Sequence, residues 1–579
     1  MMRSSRIRAA TMLASLLAMQ TGTAAAEIPR NPFLADSPNN QSHWNDAASD
    51  STVAAVPKGH YCLTTGTRTA IAYADTLGIP AYDAEVAGRR VVWFFAGTAL
   101  RKLHLTSDGF VEIARQPVRM ALPDYRPQSA AARGALAQEL SGLLSRGDEQ
   151  AIGALVARQP NRLQFAVEDQ VAQGVLYSLF TRDHGFIGAN ARGLVRIDNL
   201  DPADPFSGLT PPQQVRLPDS LFDDARTRAA TIFPADSVFG LGMTFNGFIV
   251  VSTLGGTIAT LDRDNFAVID TYRAPEGEVF TNGFATSPEL DGGAVYIASN
   301  RRMYRLAIDP RGRIMTDEAQ GAWSAAYDPG ERLPTGKIAD GTGATPTLMG
   351  FGESEDELVI LTDGARRMRL VAFWRNGLPA EWRQRSGTLS SRIADQTVVD
   401  FGPEFPVVQS EQSVVADDGH AFVINSILSG GPQPMPIAGS FIRGLLAGTA
   451  RPLPRGIAMY RWDADADRWG AVWQRSDVGT IATVPLLSLG SRMVVLNGTL
   501  QSRPGRLFQL GFDRDDGELV MSINTGTDPR FNGAFTGLKT DEGGALMYTT
   551  LFGLVRFDVA TMQSVPSPEQ AAPPECEGG

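Results

Sequence analysis

Cysteine, histidine and long apolar runs are scarce in this chain. Only two of its 579 residues are cysteine and five are histidine. Beyond the N-terminal leader no stretch is long and apolar enough for a transmembrane helix. There is no His-Glu-x-x-His, which excludes a zincin-type metal site, and no Gly-x-Ser-x-Gly elbow of a serine hydrolase. A Cys-x-x-Cys-His haem attachment and a Walker-type phosphate loop are missing as well. Basic residues are outnumbered, 52 against 63 acidic, and form no cluster. Phosphate affinity rests on Lys and Arg, so nucleic acid is not an expected partner.

What is present begins with an export signal. Arg3, Arg6 and Arg8 precede the apolar run Ala9 to Met19, and Ala24-Ala25-Ala26 supplies small residues for cleavage after Ala26. The run is too short to span a bilayer. No cysteine stands immediately after the cleavage point, so a lipid anchor is not expected. Losing the three arginines moves the net charge from −11 to −14. The mature protein is expected in the periplasm or the medium. There the only two cysteines, Cys62 and Cys576, are expected to form a disulfide that ties the chain ends together. Residues 27–57 lack periodicity and read as a loose, flexible leader. The tail from Ser564 to Gly579 is rich in Pro and Glu and reads as extended.

Between the ends the sequence repeats itself. Leu194-Val195-Arg196-Ile197-Asp198 returns as Leu554-Val555-Arg556-Phe557-Asp558. Asn282–Asp309 matches Gly533–Ala560, with Gly292-Gly293-Ala294 against Gly543-Gly544-Ala545. Short β-branched and aromatic runs separated by Gly, Asp and Asn turns form eight groups: 84–118, 164–198, 238–272, 280–327, 345–382, 410–473, 481–523 and 531–559. Repetition at this spacing predicts an all-β, closed β-propeller over 58–563, with eight blades or alternatively seven. The eighth group shows three strands. The segment His60 to Tyr73 is the expected fourth, closing the ring and removing exposed sheet edges.

Two insertions interrupt the pattern. In 129–158, Leu136, Leu140, Leu143 and Leu144 share a helical face, Gly147 ends the helix, and Asp148 can cap a second. The second, 429–455, is rich in Gly and Pro and carries Phe441, Ile442, Leu445 and Leu446. Propeller connectivity sends both to one rim of the central channel, with Asp219 to Asp236 joining them. Long loops on a rigid scaffold often carry function.

Candidate chemistry is sparse. His43 lies in the leader, His60 near the closing cysteine, and His184 and His420 beside turns; none of the five, His104 included, has a partner in the sequence that marks it as a base. Asp463-Ala464-Asp465-Ala466-Asp467 imitates a calcium loop, but Arg468 and Gln474 stand where Gly and Glu are needed, so a turn is expected. Asp513 to Gly517 reads likewise. Gly341 to Thr347 leads into a strand rather than a helix, which argues against phosphate cradling. The starts of the inner strands offer more: Asn282, Asp340, Glu411 and Asn532 are the expected ligand-binding groups at the channel mouth. Amide oxygens and carboxylates there would suit either ordered water or a hard cation such as Ca²⁺.

Thr281-Asn282-Gly283-Phe284-Ala285-Thr286-Ser287-Pro288, followed by Asp291-Gly292-Gly293 and Val295-Tyr296-Ile297-Ala298, resembles a blade of gluconolactonase and strictosidine-synthase-like propellers. That resemblance implies a metal-binding role for Asn282, with Glu411 and Asp340 as companions. Trp462-Asp463 through Trp469 and Trp473 resembles the tryptophan-docking repeats of secreted bacterial quinoprotein-like propellers. The adjacent cysteines of quinoprotein dehydrogenases are not present, so pyrroloquinoline quinone is not expected. The leading expectation is an exported propeller that binds a small molecule or an envelope protein at its insertion-covered face. A Ca²⁺-dependent hydrolase or lactonase, and a cell-envelope assembly scaffold, are the alternatives.

Overall fold

Neighbouring side chains on a strand point to opposite sides, and here both sides are apolar. Val250 packs in one cluster with Ile258, Val295 and Tyr304, while Val251 packs in another with Leu179, Ile187 and Leu241. The same division recurs at Val494 and Val495. A strand buried on both faces belongs to a sheet sandwiched between two others.

The computed structural model describes residues 27–570 except 38–39, 64–68, 75–81, 87–88, 97–98, 119–125, 127, 161–176, 332, 334–336, 354, 429–444, 481–483, 534–536 and 542. The expected export signal, Cys576 and most of the second insertion lie outside these residues. The described strands form consecutive antiparallel groups spanning 82–117, 178–216, 238–273, 284–326, 347–398, 415–480, 486–526 and 539–557. This is the plan of a β-propeller. Each group shares an apolar cluster with the next. Phe422 and Met459 of the sixth, for example, meet Phe512 of the seventh. The eighth and first groups share one too, where Ala72, Met547 and Leu554 meet Val92 and Phe94.

The third group follows the sequence reading closely: Ile249–Thr253, a turn at Gly255-Gly256, then Thr257–Leu261 and Val268–Arg273. Gly256 has φ +85, and a Cβ there would lie 2.6 Å from the Glu278 carbonyl oxygen. Elsewhere the boundaries shift. The second group ends with Gln213–Arg216 and the fifth with Ile393–Val398, both polar strands beyond the expected limits. Outer strands face solvent on one edge, so their apolar signal is weak.

The eighth group does take its fourth strand from near the N-terminus. Thr69–Tyr73 runs antiparallel to Gly553–Phe557, from Thr69 opposite Phe557 to Tyr73 opposite Gly553. The upstream part of the expected closing segment behaves differently. Gly59–Cys62 pairs in parallel with Leu519–Gly526 on the outer edge of the seventh group, and antiparallel with Gln563–Ser564.

Helices α1 (Ala130–Ser145) and α2 (Glu149–Ala157) form the expected hairpin, with Ser129 and Asp148 accepting from the N–H groups of Ala132 and Ala151. Their apolar faces meet Leu445 and Leu446 of the second insertion, and Leu551 and Phe552 of the eighth group's second-to-third-strand turn. Glu149 and Arg451 form a two-bonded ion pair at 2.6 and 2.7 Å across the same joint. The two insertions therefore share one rim. The 219–236 connection reaches the chain before the fifth group, where Ile232 N–H donates to the Ile338 carbonyl beside the channel mouth.

The expected loose leader is a correction. Residues 44–52 are buried apart from partial exposure at Asn45, and Trp44 is 2 % exposed. A segment with few apolar residues remains ordered here because the inner strand edges offer it hydrogen-bond partners.

Candidate functional site

The innermost strands of the sheets present unpaired N–H and C=O groups toward the axis. Residues 31–56 satisfy many of them, moving from group to group. Ala35 N–H donates to Phe180 O, and Phe180 N–H to Asn40 O. Asn31 Nδ2 donates to Met243 O at 2.9 Å. Thr286, Leu348, Ala416 and Leu487 donate their N–H groups to the carbonyls of Asp46, Ala47, Ser49 and Asp50 in turn. Ser51–Thr52 then lies parallel to Leu487–Ser488. In the eighth group, Leu538 O accepts from Trp44 Nε1, and Lys539 Nζ donates to Gln41 O and Ser42 O. The segment thus touches the inner strands of seven groups, from the second to the eighth. Its tight winding places Trp44, Ala48 and Asp50 at φ 68, 51 and 50, an uncommon region for residues with a Cβ.

The tip of this segment meets the starts of the inner strands. His43 Nδ1 lies 2.9 Å from Asp50 Oδ2, and its Nε2 lies 3.2 Å from Thr345 Oγ1. Thr345 Oγ1 also donates to Asn282 Oδ1 at 2.9 Å. The order carboxylate, imidazole, hydroxyl is that of a nucleophilic triad. Thr345 is fully buried, however, and its hydroxyl is already engaged by Asn282. The array ties the segment to the ring.

Asn282 and Glu411 do come together, round Gly343. Asn282 Nδ2 donates to Gly343 O. A Cβ on Gly343 would lie 2.5 Å from the Glu411 carboxyl carbon, so glycine is required for this approach. Glu411 accepts from Ile338 N–H at 3.4 Å and stands 3.7 Å from the buried Lys337 ammonium. Burial raises the Glu411 pKa against the opposing pull of Lys337. Asp340 turns aside to Arg301, 3.4 Å away. Asn532 is buried further round, next to Gly533, whose N–H donates to Asn497.

A cation held by Asn282, Glu411 and Asp340 does not fit these positions. Asn282 Oδ1 accepts hydrogen bonds from Tyr177, Thr345 and Gly283, which leaves its lone pairs occupied. Asp340 is committed to Arg301.

The site also contains residues that sequence reasoning did not select: His43, Asp50, Tyr177, Lys337 and Lys539. Burial pushes the Tyr177 hydroxyl up to about 12 and the Lys539 ammonium down to about 7. Lys539 also lies 4.9 Å from the Trp44 ring centroid. A Trp inside a polar, aperiodic segment was the one available signal that the leader is packed. The other histidines serve locally. His60 bonds Ser522, His104 meets the Phe206 ring, His184 occupies a turn at φ 59, and His420 bonds the Asp418 carbonyl.

No protein-family model matches the chain. An uncharacterized protein of Archaeoglobus fulgidus is 26 % identical over 333 residues, 55 % of this chain and 61 % of that protein's length. The chain therefore spans about three fifths of the curated relative it matches. Among solved structures, a europium-containing methanol dehydrogenase is similar over 89 % of this chain and 90 % of its own, with 9 % identity and a TM-score of 0.49. BamB from Moraxella catarrhalis is similar over 64 % of this chain and 78 % of its own, with 14 % identity and a TM-score of 0.35. Neither likeness assigns a role to any residue here. No helix among the described residues is long and apolar enough to cross a membrane.

Proposed function

We propose that this chain is an exported eight-bladed propeller that binds a small molecule or an envelope protein at the insertion-covered mouth of its channel. Its own N-terminal segment fills the channel and forms the floor of that site. Ring closure comes from Thr69–Tyr73 on the last sheet and from a Cys62–Cys576 disulfide. The pairing of Cys62 with Gln563 supports the bridge, because it brings the chain leading to Cys576 alongside.

The observation that carries this reading is the mouth itself. Buried Thr345 and Lys337 and half-buried Asn282 and Glu411 gather where the inner strands begin, at the end of the sheets from which the two joined insertions emerge. Polar groups held in place beneath long loops are the usual form of a specific site. Native mass spectrometry of protein purified from its own cells tests it. A bound species, or a partner cross-linked at the mouth, should be lost in Glu411→Gln. Retention of the same species at the same occupancy in that variant would contradict the assignment.

A further inference from the structure

Lys102 is buried without a counter-ion. It lies midway along Ala99–Thr106, the third strand of the first group, opposite Trp93. The residue is 0 % exposed. Its Nζ donates to Asn199 Oδ1 and to Ser207 O, the latter at 2.7 Å, and lies 5.0 Å from the Trp93 ring centroid. No carboxylate among the described residues forms an ion pair with it. An ammonium taken out of water without an opposite charge is costly, so the neutral amine gains weight. Burial pushes the Lys102 pKa down to about 8, against the pull of Asp204. Roughly one such side chain in ten then carries a neutral, nucleophilic amine at pH 7, against fewer than about one in a thousand for an ordinary lysine.

Asn199 supplies an electrophile. It follows Gly193–Asp198, the third strand of the second group, and is 3 % exposed. Its Oδ1 accepts from Lys102, so its carboxamide carbon stands one C=O bond, about 1.2 Å, beyond the atom that the amine touches. Its Nδ2 donates to Asp204 O at 3.4 Å, on the side of the exposed 201–204 turn. Two titratable groups act on the amine or respond to it. The Asp204 charge raises the Lys102 pKa, and His184 is held below its usual pKa by burial and by the Lys102 charge.

We propose that Lys102 and Asn199 join covalently, through an isopeptide bond between Nζ and Cγ. The amine attacks the carboxamide carbon, the Nζ–Cγ bond forms, and the Cγ–Nδ2 bond breaks. One proton passes from Nζ to the departing nitrogen, which leaves as ammonia past the exposed turn. His184 and Asp204 are the groups placed to relay that proton. No oxidant, reductant or water is consumed. The product is a neutral amide where a buried charge stood, which removes the desolvation cost. Fixed contact between the two side chains supplies the rate. The bond would tie the first sheet to the second across 118–177, the longest connection between consecutive groups. It does not depend on what binds at the channel mouth.

The test is peptide mapping of the folded, purified protein after reduction and alkylation. Trypsin should release a branched peptide in which Lys102–Arg115 is joined to Ile197–Arg216, lighter than their sum by one ammonia. Fragmentation should place the link between Lys102 and Asn199. Loss of ammonia from the intact mass alone does not decide, because Asn-Gly sequences can also lose ammonia by closing to a succinimide; the branched peptide does. Lys102→Met should yield Ile197–Arg216 only in linear form. Protein produced and kept in denaturant should stay linear and gain the link on refolding. Linear Leu103–Arg115 and Ile197–Arg216 in full yield from the folded protein would overturn the proposal. So would equal linkage in chain that has never folded.

Discussion

His43 and Thr345 join the N-terminal segment to the ring through one hydrogen bond, and Thr345 continues the connection to Asn282. Thr345→Val removes both bonds without changing the side-chain shape. It should cost about 1–3 kcal/mol in chemical denaturation, because two buried polar partners lose their mate. Lys539 gives a pH signature. Burial lowers its pKa to about 7, whereas an unfolded lysine holds its proton to about 10.4. Between these values unfolding takes up a proton, so the contribution of Lys539 to stability grows as pH rises and is lost as pH falls through about 7. Denaturation midpoints of the protein and Lys539→Met should therefore diverge in favour of the unsubstituted protein from about pH 7 to about pH 9.5. At this scale the sequence was partly legible. Asn282 and Glu411 were reachable because they stand at predictable strand starts. His43 and Asp50 were not, because the contact that draws this pair into the site is with Thr345, about three hundred residues away.

Among the elements, strands with apolar residues on both faces announce themselves, as Ile249–Thr253 and Thr257–Leu261 do, while outer strands such as Gln213–Arg216 do not. The helical hairpin was readable from its leucine spacing and caps. The segment 27–57 was misleading: Asn, Asp, Ser and Pro usually signal an unpacked chain. Here those same side chains and their backbone satisfy strand edges, so a low hydrophobicity coexists with burial. The joint between the insertions makes a separate prediction. Arg451 donates two hydrogen bonds to Glu149 and holds its carboxyl below the usual range. Glu149→Gln should cost about 1 kcal/mol or less, since the pair is partly solvated. Hydrogen exchange should quicken in Ala130–Ala157 while the strands of the third group stay unchanged.

The molecule as a whole is organised by its N-terminal region, which runs along the inner strands of the second to eighth groups, edges the seventh sheet with Gly59–Cys62 and completes the eighth with Thr69–Tyr73. The repeats and the second of these strand roles explain why a radial plan was visible early; the run of residues 31–52 along the inner strands was not, since no local pattern encodes it. If the proposed bridge forms, proteolysis without reductant should yield a linked Cys62–Cys576 peptide, and reduction should cost about 2–5 kcal/mol. The most direct test of the account is hydrogen–deuterium exchange across residues 41–52. The account predicts protection equal to that of the inner strands Thr286 to Leu487, lost only when the whole sheet array opens. Complete exchange within seconds in the otherwise folded protein would contradict it.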